Sequence, residues 1–188
     1  MKSLSKAQLL KLLAAARAYR ERDWLILLVC FWHGLSTEEL ISFQRDAIAE
    51  GCLKIRRSDG SGVVEHMLVE HPVALLNEKN ALVEFVRRVD CGIPVFALGR
   101  RRVEQLMKQY CAEADIPSNL AHPKTLRHTV ARLSIEAGGI ELARRWLGHE
   151  SRTSVNEYLT VTDGGVDPGT FVSARSLSCY DPFTIFTS

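Results

Sequence analysis

His122-Pro123-Lys124-Thr125-Leu126-Arg127-His128-Thr129 opens a run that continues through Leu147-Gly148-His149 and reaches Tyr158 nine residues further on. Pro123 suits the first turn of a helix, and the apolar residues that follow recur at helical spacing. Gly138-Gly139 and Gly148 divide the stretch, so the pattern predicts helices over 124–137, 140–147 and 151–159. Arginine and histidine can neutralise the non-bridging oxygens of a phosphate, and a phenol can attack phosphorus, so this order of residues suits phosphodiester chemistry. Each piece has a plainer reading. Lys124 and Arg127 share one helix face and could be a solvated basic surface. His149 could satisfy carbonyls at a helix end, and Tyr158, with Val155 and Leu159, could be core.

The chain around this stretch is mainly helical with a small antiparallel β-sheet, an α+β pattern. Ser5 caps a predicted helix that runs to about Tyr19, and Trp24 to Trp32 is apolar almost all round, as in a buried central helix. Ser36-Thr37-Glu38-Glu39 is a capping box that starts a short helix with Leu40, Ile41 and Phe43 turned inward. The period then changes to two. Cys52–Arg56 and Val63–Val69 flank the turn-forming Ser58-Asp59-Gly60-Ser61-Gly62, which predicts a hairpin with a third strand near Ala47–Ile48. Helices follow over Asn77–Val89 and Arg101–Ala114, with a short extended piece at Pro94–Leu98 between them.

Composition sets bounds on function. The 188 residues suffice for one domain with a small appendage, and a net charge of +2 does not by itself announce a nucleic-acid binder. From Lys124 to Arg152, however, six cations face three carboxylates. The five cysteines are scattered without a CxxC pair, as reduced thiols are, and offer neither a disulfide framework nor a zinc site. No signal peptide or membrane-spanning run is evident, so a cytoplasmic protein is expected. From Thr162 the periodicity is lost while Phe171, Tyr180, Phe183, Ile185 and Phe186 remain. Residues 162–188 therefore read as a tail that docks on the protein itself or on a neighbouring protomer, beside a domain over 1–161.

Taken together, Leu126-Arg127-His128-Thr129, Leu147-Gly148-His149 and Tyr158 resemble the second arginine box, the histidine box and the nucleophile of the tyrosine recombinases. That family includes phage integrases, Xer-type resolvases and fimbrial invertases. Gly34-Leu35-Ser36-Thr37-Glu38-Glu39-Leu40 resembles its first box, usually Gly-Leu-Arg-x-x-Glu-Leu. The resemblance runs from about residue 4 to residue 160, covering the catalytic domain without the family's N-terminal DNA-clamping domain. It implies site-specific recombination or integration by cleavage of double-stranded DNA through a 3′-phosphotyrosine link. Tyr158 would be the nucleophile, with Arg127 and His149 stabilising the transition state. It also implies self-assembly as a dimer or tetramer on DNA, no metal, cofactor or small-molecule substrate, and a bacterial or mobile-element origin.

Three positions depart from the family pattern. Ser36 stands at the first-box arginine, Lys124 at the second-box histidine, and the hairpin tip has no lysine. Losing one transition-state donor costs about a hundred- to thousand-fold in rate. A working enzyme would then need Arg45, Arg56 or Arg57 in the vacant place. Otherwise the chain is a degenerate member that binds DNA or recombinase partners without cutting. A reading from another class is a helical protein-interaction domain.

Overall fold

The structure, a computed structural model, describes residues 2–60 and 62–148. The central element is α2 (Glu21–Trp32), in which every residue from Asp23 to Trp32 is buried. It starts three residues before the apolar run, where Glu21 and Asp23 complement the positive end of the helix dipole. A fully buried large apolar side chain contributes roughly 1.5–3 kcal/mol, which makes this helix the chief source of core energy. Its two indoles are satisfied by one neighbouring loop: Trp24 Nε1 donates to the carbonyl of Leu75 and Trp32 Nε1 to that of Leu76, both at 2.9 Å.

Helix α1 (Lys6–Tyr19) packs on α2 and is closed by the capping box that Ser5 and Gln8 form. Helix α3 (Thr37–Ile41) starts at Ser36 with the expected capping box to Glu39. A 3-10 turn at Arg45–Ala47 leads into the sheet. Strands β1 (Ile48–Ala49), β2 (Cys52–Arg56) and β3 (Val63–Met67) form an antiparallel meander in that order, pairing Leu53 with His66 and Ile55 with Val64. Leu53, Ile55 and His66 point to the core, whereas Lys54 and Arg56 point out, as the period of two requires. The last strand stops at Met67 rather than Val69, because the Val69 amide turns to the carboxylate of Glu78 at 2.9 Å.

Helix α4 (Lys79–Arg87) is shorter than its sequence pattern. Helix α5 (Arg100–Glu113) buries Val103, Leu106, Met107, Tyr110 and Cys111, and Tyr110 donates to Asp23 of α2 at 2.7 Å. The chain then enters α6 (Pro123–Leu147), whose backbone leaves helical angles at Gly138 and Gly139, where the sequence placed a break. The helix packs on α2. Thr129 fixes its register by accepting the Leu4 amide at 2.9 Å while donating to the Thr125 carbonyl. The helix expected at 151–159 and the tail at 162–188 lie outside the described residues.

Candidate active site

The two glycines of the recognised boxes bring distant segments together. Gly34 ends α2 with φ +58°, and a Cβ there would lie 2.5 Å from Leu147 Cδ2. Gly148 ends α6 with φ +70°, and a Cβ there would lie 2.6 Å from Val64 Cγ2. Both positions combine a left-handed backbone with close approach, the two conditions that favour glycine. As a result the end of α2, the start of α3, the β2–β3 hairpin and both ends of α6 meet at one place.

Glu39 organises that place. Its side chain is 3% exposed, and Oε1 accepts both the amide (2.9 Å) and the hydroxyl (3.1 Å) of Ser58 on the hairpin. Oε2 accepts the Ser36 amide at 2.9 Å and Arg57 Nη1 at 3.1 Å, and Arg127 Nη1 lies 3.7 Å away. Arg127, on the second turn of α6, donates from Nη1 to the carbonyl of Gly34 at 2.7 Å and keeps 13% of its side chain exposed. A cation held between a backbone carbonyl and a buried carboxylate, with one edge at the surface, is preorganised for an anion.

Of the three candidate compensating cations, the structure brings Arg57 to this cluster. Arg57 is buried, with no side-chain exposure, and donates from Nη2 to the carbonyls of His33 (3.2 Å) and Trp146 (3.0 Å). Burial pushes its guanidinium below the usual arginine range; Glu39 opposes the shift and the nearby Arg127 adds to it. Arg56 is exposed on the outward face of β2, and Arg45 is exposed and donates to the Val89 carbonyl at 3.3 Å. Ser36 is the N-cap of α3, and its hydroxyl lies 3.1 Å from that of Ser58. Lys124 is exposed one turn before Arg127. His149 and Tyr158 lie outside the described residues, but Gly148, immediately before His149, is packed against Arg57 and Val64.

Beneath the cluster lies a polar network that sequence reasoning missed. His33 Nε2 is 2.7 Å from Glu78 Oε1, and its Nδ1 is 3.1 Å from His66 Nδ1. The His66 ring stacks on Trp146 at 4.1 Å between centroids. Burial, then His33 and Arg57, holds His66 well below the ordinary imidazole range. Its pKa is therefore lower in the folded than in the unfolded chain, where about 6.5 is expected. Below pH ~6.5 the unfolded chain binds a proton that the folded chain refuses, so stability is complete above that pH and is lost as pH falls. Thermal unfolding is expected to show Tm decreasing from pH 7 to pH 5, with a flatter profile for His66→Gln. An unchanged profile would remove His66 as the cause.

Among the described residues, no group of three His, Cys, Asp or Glu side chains is arranged to hold a metal ion. No helix among them is long and apolar enough to cross a membrane. Cys30 sits in α2, and burial, then Glu39, pushes its thiol up to about 12, which marks it as inert packing.

Comparison with known proteins shows which fold and family this chain shares. The chain is 30% identical over 174 residues to tyrosine recombinase XerA of Pyrococcus furiosus, and 26% identical over 168 residues to its namesake in Thermococcus kodakarensis. Each alignment covers 86% of this chain but 58% of the relative, so the chain spans little more than half the length of these curated relatives. In fold it matches the crystal structure of XerA recombinase (TM-score 0.68, 20% identity, 87% of this chain and 60% of that one). It also matches XerH recombinase bound to its difH substrate before cleavage (TM-score 0.70, 17% identity, 89% and 52%). The lambda integrase catalytic core superposes at a TM-score of 0.62, with 18% identity, covering 79% of this chain and 96% of that core. Mostly helical architecture with a three-stranded antiparallel sheet is thus that of a tyrosine recombinase catalytic domain. The profile of the phage integrase family matches residues 2–164, and the chain belongs to that family.

Proposed function

We propose that residues 1–161 form the catalytic domain of a site-specific DNA recombinase that cuts and rejoins double-stranded DNA without a cofactor. The observation that carries this reading is the convergence of both box glycines, Glu39 and Arg127 on one partly open cationic site. In the proposed reaction the Tyr158 hydroxyl gives up its proton and its oxygen bonds to the scissile phosphorus. The P–O5′ bond breaks, and the departing 5′ oxygen takes up a proton. The products are a 3′-phosphotyrosine and a free 5′-hydroxyl, and attack by a 5′-hydroxyl from a partner strand restores the diester. The exchange conserves bond energy, so it needs no external reactant. Arg127 would neutralise the non-bridging oxygens, His149 would add a donor, and Lys124 would supply charge at the rim.

Beyond the phosphate site, Arg100, Arg101 and Arg102 are all exposed at the start of α5, a position where the helix dipole disfavours cations. Arg100 pairs with Glu38 in the first turn of α3, which sets this basic edge beside the first box. Such a placement suits the backbone of a bound duplex. The tail over 162–188, rich in aromatic residues, would join protomers in a dimer or tetramer on DNA.

A second reading, DNA binding without cleavage, is favoured by Ser36 serving as a helix cap and by the full burial of Arg57. Incubation with nicked duplexes that carry candidate sites separates the two. The first reading predicts strand breaks with free 5′-hydroxyl ends; salt-sensitive binding with intact strands favours the second.

A further inference from the structure

We infer that Arg57 is a positioning residue, the countercharge of Glu39 that holds Arg127 and the end of α6 in one register; the inference rests on the proposed phosphate site. Arg57 donates to acceptors from three separate elements. These are the carbonyls of His33 and Gly34 at the end of α2, the Glu39 carboxylate in α3, and the Trp146 carbonyl at the end of α6. Two of the acceptors, Gly34 O and Glu39 Oε2, are the same atoms that Arg127 approaches. The guanidinium is shut off from solvent, so it acts on an anion through Arg127 and not by touching it.

The packing around it sets the tolerance. Gly148 is so close that an added Cβ would lie 3.2 Å from Arg57 Cγ and Nε. The Arg57 side chain therefore forms part of the surface on which the last turn of α6 rests, immediately before His149. A buried carboxylate needs cationic or hydrogen-bonding partners, and Glu39 has them in Arg57, Arg127 and the groups of Ser36 and Ser58. Ser36, whose hydroxyl lies 3.1 Å from that of Ser58, donates its amide to Glu39 Oε2, the oxygen that Arg57 also approaches. A cation introduced at position 36 would be a third positive charge on one acid. The place that the family pattern gives to an arginine at 36 is thus electrostatically filled from the hairpin.

Ser36→Arg alone lowers cleavage, although it restores the family's residue. Arg57→Ser lowers cleavage at saturating DNA by about a hundredfold, as expected when a reacting group is displaced by an ångström or so. Affinity for DNA changes far less, because Arg57 faces no solvent. Ser36→Arg/Arg57→Ser recovers at least part of the loss, whereas Arg57→Lys, which keeps the charge without the fork, stays impaired at saturating DNA.

The experiment is this double-mutant cycle, read by single-turnover cleavage of a nicked duplex, by DNA affinity and by Tm. A double variant that cuts faster and melts higher than Arg57→Ser supports the inference. An increase in cleavage on Ser36→Arg in the otherwise unchanged protein would overturn it, as would a double variant no better than Arg57→Ser. If the unaltered protein cuts nothing, the recombinase reading fails on that ground. The Tm cycle then decides the exchange between positions 36 and 57 alone: a double variant that melts above Arg57→Ser supports it, and one that does not overturns it.

Discussion

Replacing Arg127 with alanine is expected to lower single-turnover strand cleavage about a hundred- to thousand-fold, the usual effect of losing one transition-state donor. Arg127 is the partly exposed cation of the cluster, fixed at 2.7 Å from the Gly34 carbonyl, so its deletion removes charge that is already in place before DNA arrives. Lysine should not rescue it. An ammonium cannot span the carbonyl, the carboxylate and an anion at once, as a planar fork with five donors can. DNA affinity should fall much less, because one phosphate contact is a small part of a duplex interface. Cleavage by Arg127→Ala within tenfold of the unaltered protein would mean that the phosphate sits elsewhere.

The second large effect is on stability. Glu39→Ala is expected to destabilise the fold by about 3–5 kcal/mol, the range for removing one partner of a buried ion pair. The Glu39 carboxylate is 3% exposed and the Arg57 guanidinium not at all, so truncation leaves a buried cation whose Nε already has no hydrogen-bond partner. The same change frees the Ser36 amide at the start of α3 and the Ser58 amide at the hairpin. Glu39→Gln keeps an acceptor for both amides and should be milder. Urea unfolding measures the difference, and a loss under about 1 kcal/mol for Glu39→Ala would show that the cluster relaxes around the missing acid.

Where a local rule has few competitors, the sequence was a sound guide. Ser5 and Ser36 begin helices because each pairs with a side chain three residues on, and such capping boxes are decided within four residues. The strict alternation Leu53-Lys54-Ile55-Arg56 could only be a half-buried strand. Gly138-Gly139 broke α6 where expected, since two adjacent glycines remove both side-chain packing and backbone preference.

At the candidate site the sequence offered Glu39, Arg57 and Arg127 as separate residues but not the contacts that join them. Arg45, Arg56 and Arg57 are equivalent cations on paper. The pleat sends Arg56 outward, and the turn after β2 sends Arg57 inward beneath Gly148. That choice depends on the approach of α6, some ninety residues later in the chain. His33, Glu78 and His66 were likewise invisible as a group, because the C-cap of α2, the residue before α4, and β3 contribute one member each. The length of α4 was overestimated for a related reason. The Glu78 carboxylate is engaged by His33 and by the Val69 amide, and the helix starts only after it.

In the proposed reaction this domain cuts DNA with Tyr158 while Arg127 holds the phosphate. That reaction is tested most directly by incubating the protein with an end-labelled duplex nicked beside the scissile position, so that the released fragment diffuses away and the covalent link persists. The expected result is a labelled protein–DNA adduct whose digestion yields a phosphotyrosyl peptide containing Tyr158, with no adduct from Tyr158→Phe and a sharply reduced yield from Arg127→Ala. An adduct that survives in Tyr158→Phe, or cleavage that leaves no covalent link to the protein, would contradict it.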